Sequence, residues 1–326
     1  MKEFYNNHFL KQKMMRTLLL PLFILSIFSI YNFGCKVLVL LVLNAVVASL
    51  VEYICETKIF KKKKISEAVF VTSILYTMTL PVSIPYWISI VGIAFGVFFG
   101  KMVFGGFGKN IFNPALVGRV FIYINSASPL TIFWNKGATG FPGGFGTFIT
   151  EHIDQVSTAT PMLLFKNGGS LTELSNLFFG NVSGAIGETS KVLIILIGIY
   201  LIYKKVASWE IMAGSIVGFT VLSLIFNAMG VESVPNPIYG MLMGGFLFGT
   251  VLMATDPVSA AKTVPGKWIY GMIIGIVTVI IRGFALFSGG VMFAILIGNL
   301  FAPIIDYTIR KVKANKKAKL KKEAVA

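Results

Sequence analysis

The sequence predicts an all-α integral membrane protein of about ten transmembrane helices, arranged as an inverted five-plus-five repeat with broken half-helices. Three observations carry this expectation. Of 326 residues 56% are hydrophobic and only 13% charged, with a mean hydropathy of +0.81. Soluble domains carry roughly 25% charged residues, so most of this surface must face lipid. Apolar stretches recur along the whole chain at or near the ~20 residues that a spanning helix needs. A proline-bearing signature recurs after the third stretch of each half.

Ten stretches qualify in order: 17–33, 36–55, 67–80, 87–104, 111–133, 191–203, 209–226, 240–254, 269–287 and 290–307. The third, sixth and eighth are short and read as half-spans or tilted pieces, which a membrane tolerates where the broken backbone is buried in protein. No small-residue cleavage site follows the first stretch and another span comes at once, so the first is expected to stay in the mature chain. If the N-terminus is cytoplasmic, all but five of the 29 Lys and Arg fall on the cytoplasmic side, Lys101, Lys109 and Arg119 among them. Only Lys36, Lys136, Lys166 and Lys191 fall outside, with Arg282 within a span. The positive-inside rule then places both termini inside. The expected organisation is a cytoplasmic tail (1–16), a first five-helix repeat (17–133), an extracytoplasmic loop (134–190), a second repeat (191–307) and a basic cytoplasmic tail (308–326).

The net charge of +16 would suggest a nucleic-acid partner on a soluble chain. Here the basic runs, Lys61 to Lys64 and Arg310 to Lys322, flank apolar segments and have no interleaved aromatics for base stacking, so nucleic acid is excluded in favour of the lipid bilayer. Two cysteines, Cys35 and Cys55, and two histidines, His8 and His152, are too few for a closed metal or iron–sulfur site or a hydrolytic triad. No metal site and no catalytic side chain is expected. Chemistry must come from hydroxyls, carboxylates, backbone or a carried cofactor.

The repeat signature is Thr79-Leu80-Pro81-Val82-Ser83 in the first half and Thr255-Asp256-Pro257-Val258-Ser259 in the second, each followed by Pro and Trp and then a glycine-bearing apolar helix. Five spans per half force the second half to run upside down. Inverted repeats with broken helices place binding sites near the midplane at the repeat interface. A further break, Gly105 to Pro114, ends in Asn113-Pro114, a capping residue followed by Pro at the first helical position. Carboxylates in or beside spans are Glu52, Glu67, Asp256 and Asp306. Such groups are costly in a membrane and default to a functional reading. Glu67, Asp256 and Asp306 are the ion-coupling candidates, with Glu67 and Asp306 favoured for cytoplasmic ion entry, against pairing with Lys64 or Arg310, or capping in the case of Asp256. Arg282, within the ninth span, needs a partner or an anionic ligand such as a flavin or quinone oxygen.

In the long outer loop, Asp154-Gln155-Val156-Ser157-Thr158-Ala159-Thr160-Pro161 reads locally as a helix start capped by Thr160. The same octet closely resembles the flavinylation motif of the family that contains the RnfD component of the Rnf complex and the NqrB component of the sodium-translocating NADH:quinone oxidoreductase. Phe104 to Asn110, Asn113 to Leu116, Met253 to Ala260 and Asn299 to Asp306 agree with it in family order.

The resemblance implies covalent FMN, joined through its phosphate to Thr160 by a separate flavin transferase, with Ser157, Thr158 and Ala159 forming the motif around it. Thr158 stands where many members have glycine. It also implies a bacterial cytoplasmic membrane, partners that include an FMN-carrying extracytoplasmic subunit and iron–sulfur membrane subunits, and transport of Na+ or H+. A second, non-covalent flavin, riboflavin, is compatible with it. A helix N-terminus at Thr160 would stabilise the phosphate, and the flavin would supply the redox capacity that the side chains lack. Asp256 to Ala260, Lys267 to Gly271 and Phe301 to Pro303 look more like the quinone-reductase branch, the short N-terminus and length more like Rnf, so the acceptor, quinone or NAD through partners, stays open. The rivals are a secondary transporter of inverted-repeat fold without covalent flavin, and a scaffold for other redox subunits.

Overall fold

The computed structural model describes residues 8–62, 64–138, 140, 142–148, 159–285 and 289–323. Among these the chain is helical apart from one two-residue parallel pair, β1 (Phe9–Leu10) on β2 (Ile65–Ser66), which pins the segment before the first helix. The first half contains α1 (Lys13–Phe33), α2 (Lys36–Ile54, continued by a π turn Cys55–Ile59), α3 (Ala68–Met78), α4 (Tyr86–Val97, continued by a π turn Phe98–Met102), α5 (Pro114–Asn125) and α6 (Ala127–Thr131). Two short helices, α7 (Pro161–Lys166) and α8 (Leu174–Phe179), lead to the second half. There α9 (Lys191–Tyr203), α10 (Trp209–Ala228), α11 (Pro237–Leu242), α12 (Phe246–Phe248, continued by a π turn Gly249–Met253), α13 (Val264–Phe284) and α14 (Gly290–Glu323) follow.

Five of these helices, α1, α2, α10, α13 and α14, are long and apolar enough to cross a membrane, and four shorter apolar helices fill the gaps between them. Their amphipathicity is reversed from that of a soluble protein. On α1 the outward residues are Leu20, Phe23, Ile24 and Ile27, while Ser26, Ser29 and Asn32 are buried. On α10 Val217, Val221 and Leu224 face out, and Ser215 and Ser223 face in. Apolar side chains belong outside when the solvent is hydrocarbon, and the polar ones turn inward.

Two of the ten stretches are not single helices. The fifth breaks at Ser126, because the ring of Pro129 clashes with the carbonyl four residues back, that of Asn125, and ends α5 there. The eighth unwinds between α11 and α12 around Gly244, whose φ of +61° suits only a residue without a Cβ.

The two Pro-Val-Ser turns lie at opposite ends of the bundle. The first sits where the Met78 and Leu80 carbonyls accept from the Gly187 and Ile186 N–H groups, with Ser83 bonded to the Phe133 carbonyl. From there α4 runs to Lys101, which lines a small cavity with Asp256, Pro257 and Val258 of the second turn. In the first half α2 packs on α4 and α4 on α5; in the second α10 packs on α13 and α13 on α14. This common order and the reversed ends are the geometry of an inverted repeat.

Asn113 and Asn299 clasp the two halves together. The Asn299 Oδ1 accepts the Asn113 backbone N–H at 3.1 Å, and its Nδ2 donates to the Tyr270 hydroxyl at 2.8 Å. Asn113 Nδ2 in turn donates to the Met253 carbonyl at 3.2 Å. Asn299 is fully buried, so Asn299→Ala leaves an unpaired buried N–H, and is expected to cost about 2 kcal/mol. A lowered melting temperature of the detergent-extracted chain would register this.

Candidate functional site

Thr160 is the N-cap of α7: its backbone is extended, Pro161 opens the helix, and its hydroxyl accepts the Leu163 N–H at 3.3 Å. The cap follows from local chemistry, since Thr supplies the acceptor and Pro needs no backbone donor. Met162 is buried against Leu177, Val182 and Met243, which holds α7 on the membrane helices. Ala159 and Thr160 are described; Ser157, Thr158 and the rest of the motif toward Asp154 lie outside the described residues.

Thr160 lines a cavity of about 90 Å³ between the two halves, with Thr79, Arg119, Tyr123, Glu188 and Lys191 among its other walls. That space holds several waters or a small anion. Its charge is lopsided. Arg119 is only 6% exposed, makes a cation–π contact with Tyr123 at 5.4 Å, and its Nη1 has no hydrogen-bond partner among the described residues. Lys191, 2% exposed, donates to the Gly244 carbonyl at 2.9 Å and to the Glu188 carbonyl. Glu188 is the cavity's one carboxylate among the described residues. It accepts the Ala185 N–H at 3.1 Å and packs so closely on Gly245 that a Cβ there would meet its Oε2 at 2.0 Å. Gly245 is therefore glycine for reach.

Arg282 stands behind this wall, not in it. Its Nη1 donates to the Gly240 carbonyl at 2.6 Å, the guanidinium lies over Phe219 at 5.9 Å, and its Nε is unpaired among the described residues. The partner that the structure shows for it is a carbonyl in the last turn of α11. At the rim, Lys166 donates to the Ala285 carbonyl at 2.7 Å. Burial, reinforced by Arg282, pushes its ammonium below the usual lysine range.

Two sequence expectations are corrected. Arg119, counted with the cytoplasmic cations, lies in the middle of α5 and faces the same cavity as Thr160. Glycine and small residues around it in the apolar run gave no sign of which way it points. The positive field at Thr160 does not come from a helix dipole either, because α7 has only six residues and the macrodipole needs aligned turns. It comes from Arg119 and Lys191.

At the opposite end the candidate carboxylates separate. Glu67 takes the Arg16 guanidinium and the Gln12 N–H at 2.7 Å, so Arg16 is an ion-pair partner that the sequence did not name. Asp306 accepts the Lys262 N–H, the Thr263 N–H and the Thr263 hydroxyl at 2.6 to 2.9 Å, capping the start of α13 from a neighbouring helix. Asp256 accepts from the Val258 N–H and the Ser259 hydroxyl, and it lines a cavity of about 50 Å³ shared with Lys101, Asn110 and Asn113. Lys101 is paired at 2.6 Å with Glu52, both fully withdrawn from solvent. Sequence reasoning counted Lys101 among the cytoplasmic cations without a partner and left Glu188 uncounted.

A family model described as NQR2, RnfD, RnfE matches residues 3–315. The chain is 42% identical over 273 residues to the NqrB component of the Na(+)-translocating NADH-quinone reductase of Azotobacter vinelandii, a match covering 80% of this chain and 63% of that protein. The component of the same name from Chromohalobacter salexigens is 42% identical over 275 residues, covering 80% and 62%, and that from Pseudomonas aeruginosa 40% over 273, covering 80% and 63%. The matched part thus spans under two thirds of these relatives. With a match along nearly its whole length, and relatives of 40–42% identity, the chain belongs to the NQR2, RnfD, RnfE family.

Proposed function

We propose that the chain is a membrane subunit of a redox-driven ion-translocating complex of the Rnf or NADH–quinone reductase kind, and that it carries FMN as a phosphoester on Thr160. The observation that supports this most directly is the pairing, in one buried cavity, of the Thr160 hydroxyl with an unbonded Arg119 Nη1. A threonine offers an oxygen for the ester, and the guanidinium offers donors matched to a phosphate.

Bound flavin supplies one- and two-electron chemistry that no side chain here has. The protein's share is to fix the ester at Thr160, to hold counter-charge at Arg119 and Lys191, and to exclude bulk water through the packing of Met162 and Leu177. At the other end Asp256 is the carboxylate placed to receive a cation, because it lines a cavity while Glu67 is held by Arg16 and Asp306 by the start of α13. The motif end then faces the outside and both termini the cytoplasm of a bacterial cytoplasmic membrane. The partners are an FMN-carrying extracytoplasmic subunit and iron–sulfur membrane subunits, with a flavin transferase for maturation.

The test is flavin fluorescence of the denatured full chain in a gel, from cells that hold the transferase, with mass spectrometry of the Thr160 peptide. Thr160→Ala is expected to remove the fluorescent band entirely, while Ser157→Ala and Thr158→Ala keep it. An unmodified peptide in the presence of the transferase would sink the reading. It would leave the transporter, which predicts substrate flux without any flavin.

A further inference from the structure

Among the described residues the cavity beside Thr160 carries more positive than negative charge: Arg119 and Lys191 line it and Arg282 stands one layer behind, against the carboxylate of Glu188. Buried cations without counter-charge are costly, and Lys191 and Arg282 offset part of that cost by donating to carbonyls, of Gly244 in the unwound turn and of Gly240 in the last turn of α11. Arg119 has no such bond among the described residues. At 6% exposure, with Nη1 orphaned, it is a donor set waiting for an acceptor.

We propose that Arg119, with Lys191 beside it and Glu188 as fixed counter-charge, forms a phosphate-ester site that binds its ligand non-covalently, independently of the bond to Thr160. Arg119 is a positioning residue in this role. Two features recommend a phosphate ester over other anions. A guanidinium presents parallel N–H donors that two phosphate oxygens accept together. One carboxylate against the cations leaves a surplus of positive charge that a phosphodiester or phosphomonoester neutralises. The ester has two possible sources, a flavin phosphate tethered at Thr160 and a lipid phosphate reaching in from the surrounding bilayer. The inference deepens the flavin reading without depending on the covalent bond.

The test separates the two. The full-length Thr160→Ala chain, which cannot carry the ester, is extracted and its melting followed with free FMN, inorganic phosphate, and riboflavin, which lacks the phosphate. FMN and phosphate are expected to raise the melting temperature and riboflavin to leave it unchanged. Arg119→Gln in the same background is expected to abolish the shift. Should that variant fail to fold, Arg119→Lys serves instead: it keeps the charge but loses the planar fork, and is expected to weaken FMN binding about tenfold. Nanodiscs with phosphatidylglycerol in place of phosphatidylcholine form the second arm. Protection by that lipid alone, dependent on Arg119, would keep the site and assign it to lipid. An FMN shift that survives both Arg119 variants, or no shift from any phosphate, would overturn the site even if flavin were found on Thr160. Conversely, an unmodified Thr160 with an Arg119-dependent phosphate shift would remove the covalent reading and leave the site standing.

Discussion

Glu52→Gln is expected to destabilise the chain by about 3 kcal/mol, the low end of the ~3–5 kcal/mol lost when one partner of a buried ion pair is removed. Glu52 and Lys101 are 0% and 2% exposed and 2.6 Å apart, so the substitution leaves an ammonium with no carboxylate at contact distance. The value falls at the low end for two reasons. Asp256 lines the same cavity as Lys101, and the Phe107 ring lies 5.7 Å from its Nζ. The Gln side chain also keeps an oxygen for the Ser66 N–H, which Glu52 accepts at 2.9 Å. Replacing both partners, Glu52→Gln with Lys101→Met, is expected to recover most of the loss, because it is the orphaned charge and not the lost attraction that is expensive. Melting of the extracted chain measures both. A double variant no more stable than the single one would refute that account of the pair.

Much of this architecture is legible in the sequence because lipid imposes simple rules. Apolar runs mark the helices, Asn113-Pro114 and Thr160-Pro161 mark helix starts that the structure places at those residues, and the repeated Pro-Val-Ser turns mark the inversion. Pro129 carried the break of the fifth stretch, but a span-length count smooths over a proline, so the break at Ser126 is invisible to it. Direction is what the sequence withholds. A single arginine in an apolar run obeys the positive-inside count equally well in a loop or in a helix, and only packing reveals that Arg119 points at the Thr160 cavity. Glu188 was hidden for a similar reason: it lies in a polar loop, where a carboxylate costs nothing unless the fold buries cations beside it. For Asp306 and Glu67 the sequence correctly marks costly groups, and the structure gives them structural partners, the start of α13 and Arg16.

Gly275→Val is expected to have the largest effect of any single change on the bundle, abolishing accumulation of folded chain in the membrane. A Cβ at Gly275 would lie 2.2 Å from the Ser215 carbonyl oxygen and 2.5 Å from the Phe219 nitrogen, and one at Gly271 would lie 2.5 Å from the Ile211 oxygen. The obstacles are backbone atoms of α10, which cannot swing aside as a side-chain end does. Relief requires α10 and α13 to separate along their whole contact. Between helices in lipid, separation is not resisted by a hydrophobic force; close van der Waals contact through small residues is the attraction itself, so the substitution removes the force that it works against. The damage would also reach the site. Arg282 is carried by α13 and lies over Phe219 of α10, and its bond to the Gly240 carbonyl ties that pair to the last turn of α11, just before the unwound turn on which Lys191 rests. Ile276→Val, one residue on and facing partly outward, changes side-chain volume without touching the seam and is expected to be tolerated. Size-exclusion profiles of the extracted chain compare the two directly. A Gly275→Val chain that elutes as a single species at the unaltered level, with an unchanged melting temperature, would mean that the helices have another way to meet, and that the glycine seam does not set the distance between α10 and α13.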